Sequence, residues 1–165
     1  MRIADSRRID ASPHRVWEAL NDPEILKACL PGCESFERLG PTRFQAVVVQ
    51  RIGPLSASFT GELTLENLDP PRSYTLVGRG VGGAAGHAEG AADIAILPEG
   101  EGARLDYVLR AEVTGRLAKI GLGLVEGFAR RMAAQFFERF ARILEGRPVE
   151  EPPTKGESLW KRLIG

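Results

Sequence analysis

Apolar residues change their period near Gly115, and that change restricts the fold more than any other feature of the chain. Between residues 33 and 113 they fall in short, β-branched runs cut by Gly40-Pro41, Gly53-Pro54, Asp69-Pro70-Pro71 and Pro98-Glu99-Gly100. Runs of this length bounded by turn residues predict successive antiparallel strands at 44–49, 55–65, 74–77, 88–97 and 105–113. After Gly115 the apolar positions Leu117, Leu124, Phe128, Met132, Phe136, Phe140 and Leu144 recur at roughly helical spacing, with Arg130, Arg131, Glu138, Arg139 and Arg142 on other faces. This predicts one long amphipathic helix. A sheet with one apolar face must bury it against another element, and this helix is the long one available.

The N-terminal part completes the pattern. Residues 3–9 predict a short strand, and Ser12-Pro13 supplies an N-cap hydroxyl followed by proline at the first helical position. Val16, Trp17 and Leu20 form the apolar stripe of a helix that Asn21-Asp22-Pro23 must end, because the residue before a proline is pushed out of the helical region. A second short helix is expected at 24–29, closed by Leu30-Pro31-Gly32. The expected class is α+β: a curved antiparallel sheet of six or seven strands wrapped around a long C-terminal helix, with two short helices after the first strand.

The 165 residues suffice for one core, expected over 1–145, followed over 146–165 by a Pro-rich linker and a short amphipathic C-terminal tail. Twenty-two basic residues balance 22 acidic ones, so no global field draws in nucleic acid, and no nucleic-acid partner is expected. The basic N-terminus has no apolar run behind it, and no stretch approaches the about 20 consecutive apolar residues needed to span a bilayer. A cytoplasmic location is expected, with Cys29 and Cys33 reduced.

One stretch narrows the class: Trp17-Glu18-Ala19-Leu20-Asn21-Asp22-Pro23-Glu24, then Leu26-Lys27-Ala28-Cys29-Leu30-Pro31-Gly32-Cys33-Glu34. It resembles the carbon monoxide dehydrogenase G-subunit family within the START-like, or SRPBCC, helix-grip superfamily. The resemblance continues through Gly53-Pro54, Leu68-Asp69-Pro70-Pro71-Arg72-Ser73-Tyr74, Gly82-Gly83-Ala84-Ala85-Gly86, Gly90-Ala91-Ala92-Asp93 and 132–140. It implies a helix-grip fold without catalytic residues of its own. It also implies a role in docking a molybdenum-containing carbon monoxide dehydrogenase-type oxidoreductase at the inner face of the cell membrane and in handling a lipophilic quinone.

A sheet curled around a helix leaves room for an apolar ligand such as a quinone or lipid, with no covalent cofactor. Phe44, Phe59, Tyr107, Leu124, Phe128, Met132 and Phe136 are the expected lining; the competing reading is that they form a solid core. Gly121, Gly123 and Gly127 remove side-chain volume near the start of the long helix and place the pocket mouth there, beneath the loop from Gly80 to His87. Within that loop Gly82, Gly83, Gly86 and His87 are the expected gate, with His87 either a polar handle for a quinone carbonyl or a solvent-exposed histidine. A phosphate cradle is the weaker reading, since no lysine or helix N-terminus follows as in a P-loop.

Cys29-x-x-x-Cys33 does not predict a metal site, because neither His14 nor His87 lies at a completing spacing. The thiols are expected to be buried near the pocket rim. The alternative function is a small START-like cyclase or hydrolase acting on a bulky apolar substrate, with Glu112, Asp93 and Tyr107 as first suspects. In the tail, Leu159-Trp160-Lys161-Arg162-Leu163-Ile164 has the makeup of a weak membrane-surface or partner-binding segment, or of one that packs on the domain or stays disordered.

Overall fold

A computed structural model describes residues 1–146. The tail expected to meet a membrane or partner lies outside the described residues. Strand β1 (Arg2–Ile9) leads into α1 (Pro13–Leu20) and α2 (Pro23–Cys29), then β2 (Cys33–Gly40), β3 (Arg43–Ile52), β4 (Leu55–Asp69), β5 (Ser73–Val81), β6 (His87–Glu99), β7 (Gly102–Thr114), α3 (Arg116–Lys119) and α4 (Leu122–Leu144). A single 3-10 turn, Gly83–Ala85, joins β5 to β6.

Local chemistry sets the boundaries. The Ser12 hydroxyl accepts from the Arg15 amide at 3.2 Å, and the Asp22 carboxylate accepts from the Glu24 amide at 3.0 Å, so each short helix begins on a side-chain cap followed by proline. The Asn21 side-chain amide donates to the Trp17 carbonyl at 2.9 Å and helps close α1. The helical run after Gly115 divides in two. Gly115 and Gly121 take φ of +72° and +108°, so α3 is a separate turn and α4 starts only after Gly121. The single helix expected from Leu117 onward is therefore interrupted, because positive φ cannot be carried inside an α-helix.

All seven strands form one antiparallel sheet in the order β1-β7-β6-β5-β4-β3-β2, so the hairpin neighbours follow the chain and only β1 crosses to pair with β7. The core is split in two. The larger cluster contains Ile9, Val16, Phe44, Tyr74, Leu105 and Phe140 and lies where α1, α2 and the C-terminal half of α4 meet the sheet. Trp17 packs edge-on against Tyr74 at 5.4 Å, and Phe137 stacks on Tyr107 at 4.4 Å. The smaller cluster, Ile52, Leu55 and Leu117 with Phe59, Val113, Ile120 and Phe128 against it, lies at the opposite end under the 3-10 turn.

The loop at that end depends on Gly86. Its φ is +105°, and a Cβ there would sit 2.1 Å from the Thr114 carbonyl oxygen. Gly86→Ala is expected to lower stability by about 1–3 kcal/mol, measured by denaturant unfolding. A wild-type value would mean that this backbone can move to another conformation at no cost.

Candidate functional site

The strand register lines up side chains in rows on the face turned toward α4. Nearest α1, Tyr74, Ile94 and Tyr107 make one row of large groups, and Leu65, Leu76, Ala92, Leu109 and Ile3 make the next. The following row runs Phe44, Leu63, Gly78, Gly90 and Ala111, and the one after it Ala46, Gly61, Gly80, Ala88 and Val113. Bulk therefore thins past Leu63 across Gly61, Gly80, Ala88, Gly90 and Ala111 and returns at Val113 and Phe59, in the smaller cluster. The result is a trough floored by glycine and alanine between two packed ends.

Helix α4 spans this trough. Over it stand Ala129, Met132, Ala133 and Phe136, all partly exposed, and the opposing Leu63, Leu76, Gly78, Ala88, Gly90 and Ala92 are partly exposed too. Leu63, Leu76, Ala92, Ala129, Ala133 and Phe136 pack on the edge of the larger core and still keep solvent contact, so helix and sheet do not seal the space beyond them. The helix comes close to α2, β1 and β3. A Cβ built on Gly61 meets only strand carbonyl oxygens at 3.8 Å, and one on Gly80 only the Ala88 carbonyl at 4.0 Å. Gly78 and Gly90 differ: a Cβ on Gly78 would stand 3.0 Å from Leu63 Cδ2, which already covers it, and one on Gly90 would stand 2.2 Å from the Arg110 carbonyl, so glycine there is required by the close approach of β6 and β7. The lining is apolar, and no charged or polar residue is buried among the described residues.

The expected lining residues are divided among these regions. Phe44, at 2% exposure, and Tyr107, at 7%, belong to the larger core, and Phe136 packs against its edge. Phe59 and Phe128 pack on the smaller cluster. Met132 is partly exposed above the trough, whereas Leu124 is 40% exposed and lies against the β3–β4 turn, where a Cβ on Gly53 would touch its Cδ2 at 2.4 Å. The space directly beneath the loop, expected to be the mouth, is filled by the smaller cluster. Gly121 and Gly123 make no room in the interior, since a Cβ at either meets nothing within 4 Å and both are exposed; at Gly127 it meets only the Arg131 guanidinium at 3.5 Å. The floor residues Gly61, Gly80 and Ala88 were not among the expected ones. Their signal is the alternation Gly78-x-Gly80 and Ala88-x-Gly90-x-Ala92, which puts small residues on one face of adjacent strands.

Gly82 and Gly83 open the loop, with Gly82 seated on Phe59: a Cβ there would be 2.4 Å from the ring. The Gly82 amide donates to the Gly86 carbonyl at 2.9 Å, which ties the loop into a closed turn. His87 begins β6, exposed, with its side chain on the sheet face away from α4 by strand alternation. Asp93 and Glu112 stand on that outer face as well. Asp93 accepts from Arg110 at 2.7 Å and from Thr75 at 2.9 Å, and these bonds hold its carboxyl below the usual range. Glu112 lines an open depression of about 770 Å³ with Arg2, Glu62, Arg79, Glu89 and Arg110. Tyr107 lies on the other side of the sheet, its phenol pushed up by burial and by the nearby Asp5 charge. The three suspects for catalysis do not converge.

Cys29 is fully buried in the larger core, and burial pushes its thiol up to about 12. Cys33 is half-buried and donates to the Ser35 carbonyl at 3.1 Å. Among the described residues no group of three His, Cys, Asp or Glu gathers as a metal site, and no helix is long and apolar enough to cross a membrane. A thiol alkylating agent is expected to modify Cys33 well before Cys29, with mass spectrometry of peptides as the readout. Because the folded Cys29 thiol ionises near 12 and the unfolded one near 9.0, its contribution to stability is intact below about 9 and is lost as pH rises toward 12.

The sequence matches the carbon monoxide dehydrogenase G-subunit (CoxG) family over residues 6–145. A search of curated proteins finds no match. Among solved structures, a conserved protein from Geobacillus kaustophilus is 27% identical, with 88% of this chain and 96% of that one covered and a TM-score of 0.82. A protein from Thermus thermophilus is 21% identical, with 88% and 98% covered and a TM-score of 0.66. A protein from Rhizobium leguminosarum is 12% identical, with 89% and 95% covered and a TM-score of 0.70. These last two show likeness of fold.

Proposed function

The chain belongs to the carbon monoxide dehydrogenase G-subunit family, and we propose that it is a non-catalytic accessory protein that carries an apolar ligand, a quinone or similar lipid, in the trough beneath α4. One observation carries the reading. The sheet withdraws its side chains over four adjacent strands, in front of a helix whose facing residues keep solvent contact. Leaving apolar surface unpacked inside a domain forfeits about 25 cal/mol per Å², so the arrangement favours an occupant that covers it. The separation of Asp93 and Glu112 from Tyr107 by the thickness of the sheet supports carriage over cyclase or hydrolase chemistry, which needs ionisable groups converging on one substrate.

The partner fitting the family is a molybdenum-containing carbon monoxide dehydrogenase-type oxidoreductase, which the protein helps to dock at the inner face of the cell membrane while supplying its lipophilic electron acceptor. Solvent extraction of the purified chain followed by mass spectrometry is the direct test. A quinone or lipid present at close to one per chain supports the reading. A chain that extracts empty and takes up no added quinone overturns it.

A further inference from the structure

The two ends of the sheet differ in charge although both expose aliphatic side chains. At one end Leu39, Leu68 and Leu97 are exposed beside turns of mixed charge, which carry Asp69, Glu99 and Glu101 with Arg38, Arg43 and Arg72. At the other end lie the β3–β4 turn, the 3-10 turn between β5 and β6, and the α3–α4 junction. There Leu122 is 62% exposed, Leu124 and Val81 are 40% exposed, and Pro54 is exposed. Segments 49–57, 80–88 and 113–125, which build this end, contain no Asp or Glu but hold Arg51, Arg116 and Lys119. All three cations are exposed, and none has a carboxylate partner among the described residues. Arg51 leans over the tip, its Nε donating to the Gly53 carbonyl at 3.3 Å.

We infer that this tip is the face that meets an anionic lipid bilayer, with Leu122, Leu124 and Pro54 entering the headgroup region and Arg51, Arg116 and Lys119 resting against lipid phosphates. An apolar point within a cationic, carboxylate-free collar matches the two attractions that hold an interfacial element: burial of aliphatic groups and neutralisation of anionic headgroups. Charge separates this end from its counterpart, where carboxylates would be pressed against like charge. The inference rests on the carrier reading for its purpose, since the tip closes the same end of the trough and bilayer contact would bring lipid within reach of it.

Flotation of the full chain with vesicles tests it. The wild type is expected to float with phosphatidylcholine–phosphatidylglycerol vesicles, to float much less with phosphatidylcholine alone, and to be released by high salt. Leu122→Asp, and separately Arg116→Glu with Lys119→Glu, are expected to reduce binding about tenfold or more while leaving the melting temperature unchanged, because the altered side chains are exposed. Wild-type flotation by both variants overturns the inference, whatever the C-terminal tail contributes. So does light scattering that shows a wild-type dimer dissociated by Leu122→Asp, because the tip is then an interface between copies. A chain that extracts empty and takes up no added quinone, yet floats through this tip, would overturn the carrier reading alone.

Discussion

Phe140→Ala is expected to lower the unfolding free energy by about 3–5 kcal/mol, the usual range for removing a fully buried phenylalanine. Phe140 has no exposed surface, lies in the larger cluster, and stacks in parallel with Phe136 at 6.2 Å. Its neighbour Ala141 is equally buried, and α4 packs against α2 in this region, so the surroundings are held by two helices and the sheet and have little freedom to collapse into the void. For a domain of this size the loss corresponds to a fall in Tm of about 10 °C. Urea unfolding measures it. A change below about 1 kcal/mol would show that the end of α4 is not anchored through this ring.

Gly61→Phe is expected to have the opposite division of effects, leaving stability near wild type while reducing ligand binding on the order of 100-fold, about 2.7 kcal/mol. A glycine inside a strand loses backbone entropy on folding, and any side chain here gains β propensity. The Cβ position is free of contacts closer than 3.8 Å, so the ring has one direction open to it, into the trough. Quinone uptake followed by extraction reads the binding, and thermal unfolding reads the stability. Wild-type uptake by a folded variant would place the ligand elsewhere.

The strands were legible because their ends are written in turn chemistry: Gly40-Pro41, Gly53-Pro54 and Pro98-Glu99-Gly100 each sit where one strand gives way to the next. The division between α3 and α4 was not. Leu117 and Leu124 are seven residues apart, which two helical turns also produce, so the periodicity runs across a break made by the backbone of Gly115 and Gly121. The expected lining is spread over both clusters and the trough for a different reason. Phe44 and Tyr107 have the same apolar chemistry whether they face a ligand or a packed core, and burial decides only after the strands pair. What marks the trough is missing bulk at Gly61, Gly80 and Ala88, and these residues become neighbours only through the sheet register.

Dividing the apolar core also divides the resistance to opening. The cluster under the 3-10 turn has three buried members, whereas the one around Phe140 has sixteen, and the glycine floor between them supplies few side chains to couple the two. Amide protection should therefore fall steeply along β4 and β5 from the α1 end toward the tip, since local stability follows buried apolar contact. On the carrier reading, a ligand would enter by displacing only the smaller cluster while the larger one keeps the chain folded. Loading and release would then be properties of this one end rather than of the whole domain.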